Sequence, residues 1–265
     1  MKKFILHISI FIFPLLLSLG IMLIIIFRTG EFFNPLNELI LSNQDYLIGK
    51  HHTKHIYALK WRELTLNQKR EILVLGTSRV MAFRQEMFKK AFYNAGYTIS
   101  NISDYRQFLL NMPKEKLPPT IIIGLDQRMF RSNDFYSKPL KTSRKKDYWN
   151  KYKIFPDLNY LKSFFYKIIY FEYDLNIILD HLLRKNNGNR IGFDAILNNT
   201  GFRKDGSYNF QKEVNLAQTV DSNFIEKKFS KNINHIKNGT HIFGFAKNVN
   251  QNAIFELKKL IQYCD

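Results

Sequence analysis

The run from Phe4 to Phe27 constrains this chain more than any other feature, because it is apolar along its whole length except at His7, Ser9, Pro14, Ser18 and Gly20. As an α-helix rising 1.5 Å per residue, it would reach roughly 36 Å, against a hydrocarbon core of about 30 Å. The apolar region of a secretory signal peptide is shorter, about 7–15 residues, and ends at a small-residue cleavage site. Here Arg28-Thr29-Gly30-Glu31 follows, without an Ala-x-Ala pattern. The expectation is an uncleaved transmembrane helix over residues 4–27. Lys2, Lys3 and the terminal amine lie on one side of it. The other flank carries only Arg28 before Lys50, balanced by Glu31 and Glu38. The positive-inside rule then makes residues 1–3 a cytoplasmic tip and places the main domain outside, periplasmic or at the cell surface. A buried core helix is the competing explanation, and the length of the run argues against it.

The remainder is long enough for one hydrophobic core. Cys264 is the single cysteine, so no intrachain disulfide can form and packing alone must hold the domain. Forty Lys and Arg against 22 Asp and Glu leave a formal charge of +18. Three explanations compete for this excess. One is affinity for an acidic partner, such as an anionic polysaccharide or lipid headgroups. The second is nucleic acid, which an outward-facing anchored domain would rarely meet and which is not expected here. The third is compositional drift in a chain loaded with Lys, Asn, Ile, Phe and Tyr. The basic residues are scattered, and clusters such as Arg144-Lys145-Lys146 read as solvated faces, which favours drift with weak attraction to the membrane surface. The sequence leaves the oligomeric state open.

Residues 28–70 read as a stalk and a lead-in helix. Asn34-Pro35 marks a break, and Tyr57 to Gln68 leads into the first strand. His51 and His55 stand one helical turn apart, which invites a metal reading. No carboxylate or cysteine accompanies them in a known spacing, so neither a metal site nor a cofactor is expected.

Ile72-Leu73-Val74-Leu75-Gly76 reads as a buried parallel strand that stops at a glycine. Ser78 then stands at the carboxyl end of the strand, where ligands of open α/β sheets bind. Val80, Phe83, Met87 and Ala91 recur at three to four residues and predict a helix beginning near Val80, whose amino end would favour negative charge at the serine. The plainer reading is a strand–turn–helix junction with the serine as an N-cap. The α/β-hydrolase elbow is excluded, because the position two residues after the serine is Val80 and not glycine. A P-loop is excluded because no Gly-Lys-Ser/Thr follows.

Phe92 and Tyr93 predict a second short strand, with Asn94-Ala95-Gly96 as a loop at the same sheet edge. A helix is expected around Asp104 to Met112, with Ser103 as N-cap. Thr120 to Gly124 predicts a third strand ending in Gly-Leu-Asp126. The alternation argues for a parallel, right-handed α/β sheet over residues 71–126, with Ser78, Gly96 and Asp126 gathered at one edge.

Gly76-Thr77-Ser78-Arg79, Tyr93-Asn94-Ala95-Gly96 and Gly124-Leu125-Asp126 together resemble the first three blocks of the SGNH hydrolase family. The nearer resemblance is to its membrane-anchored branch associated with modification of envelope polysaccharides. The resemblance covers residues 72–126 well and the anchor loosely. It implies a three-layer, flavodoxin-like α/β/α fold and Ser78 as the nucleophile toward acyl esters. It implies the backbone amides of Ser78 and Gly96 as oxyanion donors; the expected catalytic residues are then Ser78, Gly96 and Asp126, and the expected binding residues Arg79 and Asn94. Two departures stand out. The third block of the family supplies an asparagine, where this chain has Asp126. Asp126 could donate only if protonated, so pairing with Arg79 is the preferred role. The Asp-x-x-His block that supplies the catalytic base does not occur, and a serine without a base is a weak nucleophile. His181, His235 and His241 match no motif.

Residues 127–251 read as a mostly helical and loop insertion. Tyr160 to Arg184 is an amphipathic helical stretch that either covers the sheet or forms a polymer-binding wall. Arg203 to Tyr208 is a polar loop that could face substrate. Residues 252–265 carry Ile254, Leu257, Leu260 and Ile261 on one helical face. In the family such a helix precedes a further strand and the histidine block, so an incomplete sheet and a C-terminally truncated chain are expected. The functional expectation is an acyl esterase or acyltransferase acting on an acylated or acidic envelope polysaccharide. The alternative is a non-catalytic envelope protein that binds polymer or partners.

Overall fold

The computed structural model describes residues 2–30, 36–42, 44–49, 56–131, 189–211, 222–240 and 248–264, with a few isolated positions between 162 and 218. In chain order the elements are α1 (Lys2–Arg28), α2 (Leu36–Leu41), β1 (Leu47–Ile48), α3 (Ile56–Leu66), β2 (Ile72–Gly76), β3 (Phe92–Gly96), α4 (Ile102–Asn111), β4 (Thr120–Gly124), β5 (Arg190–Ile191), α5 (Phe193–Asn198), β6 (Thr200–Arg203), β7 (Tyr208–Phe210), α6 (Ser222–Lys237) and α7 (Gln251–Cys264).

The apolar run folds as α1, and Ile10–Arg28 is long and apolar enough to cross a membrane. Its last turns meet protein: Met22, Ile25 and Ile26 are buried. Thr29 closes the helix by donating its hydroxyl to the carbonyls of Ile25 (2.9 Å) and Ile26 (3.1 Å). The Thr29 carbonyl in turn accepts from the Gly192 amide at 2.8 Å. The domain therefore sits directly on the end of the helix. The expected stalk is folded into it, since α2 and β1 contribute Ile40 and Ile48 to a core shared with Phe202 and Tyr208.

Two sheets form. In the first, β2 is central between β3 and β4, and all strands are parallel. Its β-branched and apolar side chains alternate between two faces. Leu73, Leu75, Tyr93 and Ala95 face a helical layer made by Trp61 of α3, Tyr105 and Phe108 of α4, and Leu260 of α7. Val74 and Phe92 face the other way, against Val80 and Phe88. The second sheet has the order β5-β1-β6-β7, with β1 parallel to β5 and antiparallel to β6. The mixed α/β class with a parallel sheet and one N-terminal apolar helix is thus present.

Among the described residues the opposite face of the first sheet is covered by a loop and not by helices. The helix expected after Ser78 does not form. Two short 3₁₀ turns replace it, at Ser78–Val80 and Gln85–Met87. Competing local bonds explain the difference. The Gln85 side chain donates to the carbonyls of Phe88 and Lys90 and accepts from the Phe92 amide, while Asp205 takes the Gln85 amide. Phe88 stacks on Phe92 with centroids 4.5 Å apart. Phe83 and Met87, two members of the helical-looking series, are exposed. The cap of α4 also differs by two residues: Asn101, not Ser103, precedes it, and its backbone amide donates to the Asp104 carboxylate at 2.9 Å.

Candidate functional site

The three strands of the parallel sheet end in glycines that lie side by side, Gly96 and Gly124 each in register with Gly76. One side chain occupies the space this row leaves. A Cβ on Gly76 would lie 2.9 Å from Val80 Cγ1, one on Gly96 would lie 2.7 Å from Val80 Cγ2, and one on Gly124 would overlap Val80 Cγ1. Val80 is buried there. The recurring glycines are therefore a seat for Val80, which folds the chain after β2 back over the end of the sheet.

Asn94 completes the seat from the next row. It is fully buried within β3, not in a loop. Its amide nitrogen donates to the carbonyls of Val80 (2.7 Å) and Phe83 (2.9 Å), and its oxygen accepts the Gly96 amide at 2.7 Å. This corrects the expected role of Gly96: its N–H is engaged by Asn94 Oδ1 and is not offered to an oxyanion. It also places Asn94 as a brace inside the sheet and not on a binding surface.

With Val80 seated, Ser78 and Arg79 are turned to solvent. The Thr77 hydroxyl accepts from the Arg79 amide, fixing the turn. Among the described residues neither the hydroxyl nor the amide of Ser78 has a hydrogen-bond partner. Arg79 Nε lies 3.3 Å from Asp126 Oδ2, and Asp126 is buried. Asp126 also accepts the Arg128 amide at 3.1 Å and pairs with the Arg128 guanidinium at 3.3 Å. Asp126 is thus paired with two guanidiniums, and it anchors Arg79 over the strand ends.

The chain leaves the central β2 for β3 on one side and later crosses to β4 on the other. The carboxyl ends of β2 and β4 thus flank the point where the winding reverses, the usual ligand position in such sheets. Ser78, Arg79 and Asp126 stand on its two sides. The site so described offers a hydroxyl, a backbone N–H and a guanidinium. His235, one of two histidines among the described residues, faces Thr240 Oγ1 at 2.8 Å on its own helix end. His181 and His241 lie outside the described residues, as do His51 and His55. Among the described residues no group of His, Cys, Asp and Glu could hold a metal ion.

The sequence reading passes over Lys60, which underpins the site from below. It is fully buried, and its ammonium donates to the carbonyls of Asn94 (2.9 Å), Gly96 (2.6 Å) and Gly206 (2.9 Å), with the Phe202 ring 5.1 Å away. Three N–H donors meet three carbonyls. Burial pushes its pKa down to about 7, with Asp205 pulling in the opposite direction. Lys60 joins α3, the end of β3 and the β6–β7 turn. That turn is the expected polar loop, and it is docked on the sheet edge: the Asn94 amide donates to the Asp205 carbonyl at 2.7 Å. A signal for Lys60 existed, since it falls on the helical stripe Ile56, Lys60, Leu64 that is otherwise apolar.

Compared with models of known protein families, with curated proteins and with solved structures, the chain matches none.

Proposed function

We propose that this protein is a membrane-anchored, SGNH-like acyl esterase or acyltransferase acting on cell-envelope polysaccharide, with its N-terminus cytoplasmic and its main domain outside. The carrying observation is the exposed Ser78 just past the carboxyl end of the central parallel strand, next in the chain to the Arg79 that pairs with Asp126. The order of the three strands, with the first in the middle, supports this reading, since flavodoxin-like winding begins with the same order. In this reading Ser78 Oγ attacks the acyl carbonyl while a general base takes its proton, the Ser78 amide and the Arg79 guanidinium stabilise the oxyanion, and the intermediate collapses to the acyl-serine as the ester C–O bond breaks and the base returns the proton to the departing hydroxyl.

A non-catalytic, polymer-binding relative is the second reading. It is favoured by the engagement of the Gly96 amide with Asn94 and by the lack of a described partner for the Ser78 hydroxyl. A serine-reactive fluorophosphonate separates the two. Labelling of the full chain in membranes that disappears in Ser78→Ala supports catalysis, and an absence of labelling across the pH range supports the binding reading.

A further inference from the structure

A cleft of about 790 Å³ lies along the amino-terminal part of β3, between the two sheets. Arg70, Arg190, Arg203 and Lys204 line it. Arg190, Arg203 and Lys204 form no ion pair with a carboxylate among the described residues. Arg203 reaches only the Ser207 hydroxyl (3.3 Å) and the Tyr208 carbonyl (3.4 Å), and Lys204 only the Ser42 carbonyl (3.3 Å). Arg70 pairs with Glu63 at 3.1 Å, yet its buried Nε has no partner. The carboxylate of Asp205 accepts the Gln85 amide (2.8 Å) and the Ser207 amide (2.9 Å) and hydroxyl (2.6 Å), and with Glu86 it offsets part of the charge of Arg203 without pairing with it. Guanidiniums in this state suit a phosphate or carboxylate. Asp45 and Glu86, both exposed, supply acceptors for hydroxyl groups.

The position of the cleft selects the ligand. Arg190 is two residues from Gly192, so their Cα atoms are within about 7 Å. The Gly192 amide is bonded to the Thr29 carbonyl, at the end of the apolar helix. A wall of the cleft therefore stands where a membrane crossed by α1 would meet water. Tyr46, Leu47 and Phe92 are the only apolar residues of the lining, and all three are buried, so the cleft suits a headgroup and not acyl chains.

We propose that this cleft binds the headgroup of a phosphate-bearing, hydroxyl-rich membrane lipid, of the phosphatidylglycerol or lipid-linked sugar phosphate kind. The guanidiniums of Arg190 and Arg203 take the phosphate, and the carboxylates of Asp45 and Glu86 take the hydroxyls. The proposal rests on the anchor but not on catalysis at Ser78. Alkaline carbonate extraction of membranes tests the anchor alone: release of the protein overturns the anchor and with it the membrane source of the ligand. The cleft itself is tested on the full chain in a polyoxyethylene detergent, by calorimetric titration with dihexanoyl-phosphatidylglycerol, dihexanoyl-phosphatidylcholine and inorganic phosphate. The expected result is saturable binding of the phosphatidylglycerol, at least tenfold tighter than of either other probe. The Arg190→Gln/Arg203→Gln variant weakens it at least tenfold, the exposed Arg190→Gln alone weakens it severalfold, and Lys258→Gln, on α7, leaves it unchanged. Equal affinity for phosphatidylcholine, equal loss in Lys258→Gln, or no saturable binding overturns the proposal. Inorganic phosphate binding as tightly overturns the headgroup assignment and leaves a site for free phosphate.

Discussion

Gly124→Ala should destabilise the protein through Val80 and through little else. The added Cβ overlaps Val80 Cγ1, whereas its next neighbour, the Leu75 carbonyl, lies at an ordinary 3.5 Å. Overpacking of this kind costs about 1–3 kcal/mol. Val80→Ala alone removes two buried methyl groups and leaves a small cavity, at a cost of about 2 kcal/mol. In the double variant the new methyl enters the space the old one vacates, so the two costs should not add. The shortfall should be about 1 kcal/mol or more, well above the 0.3–0.5 kcal/mol expected for independent sites. Urea unfolding of the full chain in detergent, followed by near-ultraviolet circular dichroism, measures all four corners of the cycle. Additive costs would refute the glycine row as a seat for Val80.

Lys60→Met leaves three buried carbonyls without a donor and should cost about 3–5 kcal/mol, lowering the Tm by about 6–20 °C in scanning fluorimetry. The pH dependence has a definite sign. With the folded pKa near 7 and the ordinary value at 10.5, the unfolded chain holds a proton between those pH values that the folded chain has released. Stability relative to Lys60→Met should therefore be flat below pH 7 and rise toward pH 10, by at most about 1.4 kcal/mol per unit. A fall over that range would contradict the assignment. Asn94→Ala should cost about 2–4 kcal/mol by freeing the Val80 and Phe83 carbonyls. It should also make the Gly96 amide exchange rapidly with deuterium, and continued protection would show that another group holds that amide.

The parallel sheet was legible because each strand is a short, largely apolar run closed by a glycine, a pattern that survives without knowledge of its neighbours. The purpose of the glycines was not legible, since it depends on Val80 meeting all three ends at once. The helix expected after Ser78 failed because periodicity cannot see Asp205, which takes the Gln85 amide from 120 positions away. Asn94 read as a loop residue because a polar side chain in a buried strand makes sense only once its three local partners are in place. The second sheet leaves no pattern in the sequence: β1 and β5 are two residues each, too short to show any period. Of the candidate site, Ser78, Arg79 and Asp126 were visible as strand-end residues. The diversion of the Gly96 amide was not, because it turns on the rotamer of one buried asparagine.

The most direct test of the serine assignment is covalent. The full chain in native membranes is exposed to p-nitrophenyl acetate and digested, and the acetylated residue is located by peptide mass spectrometry. The account predicts an acetyl group on Ser78, lost in Ser78→Ala and reduced in Arg79→Gln. Acetylation confined to lysines, with Ser78 unmodified, would contradict it.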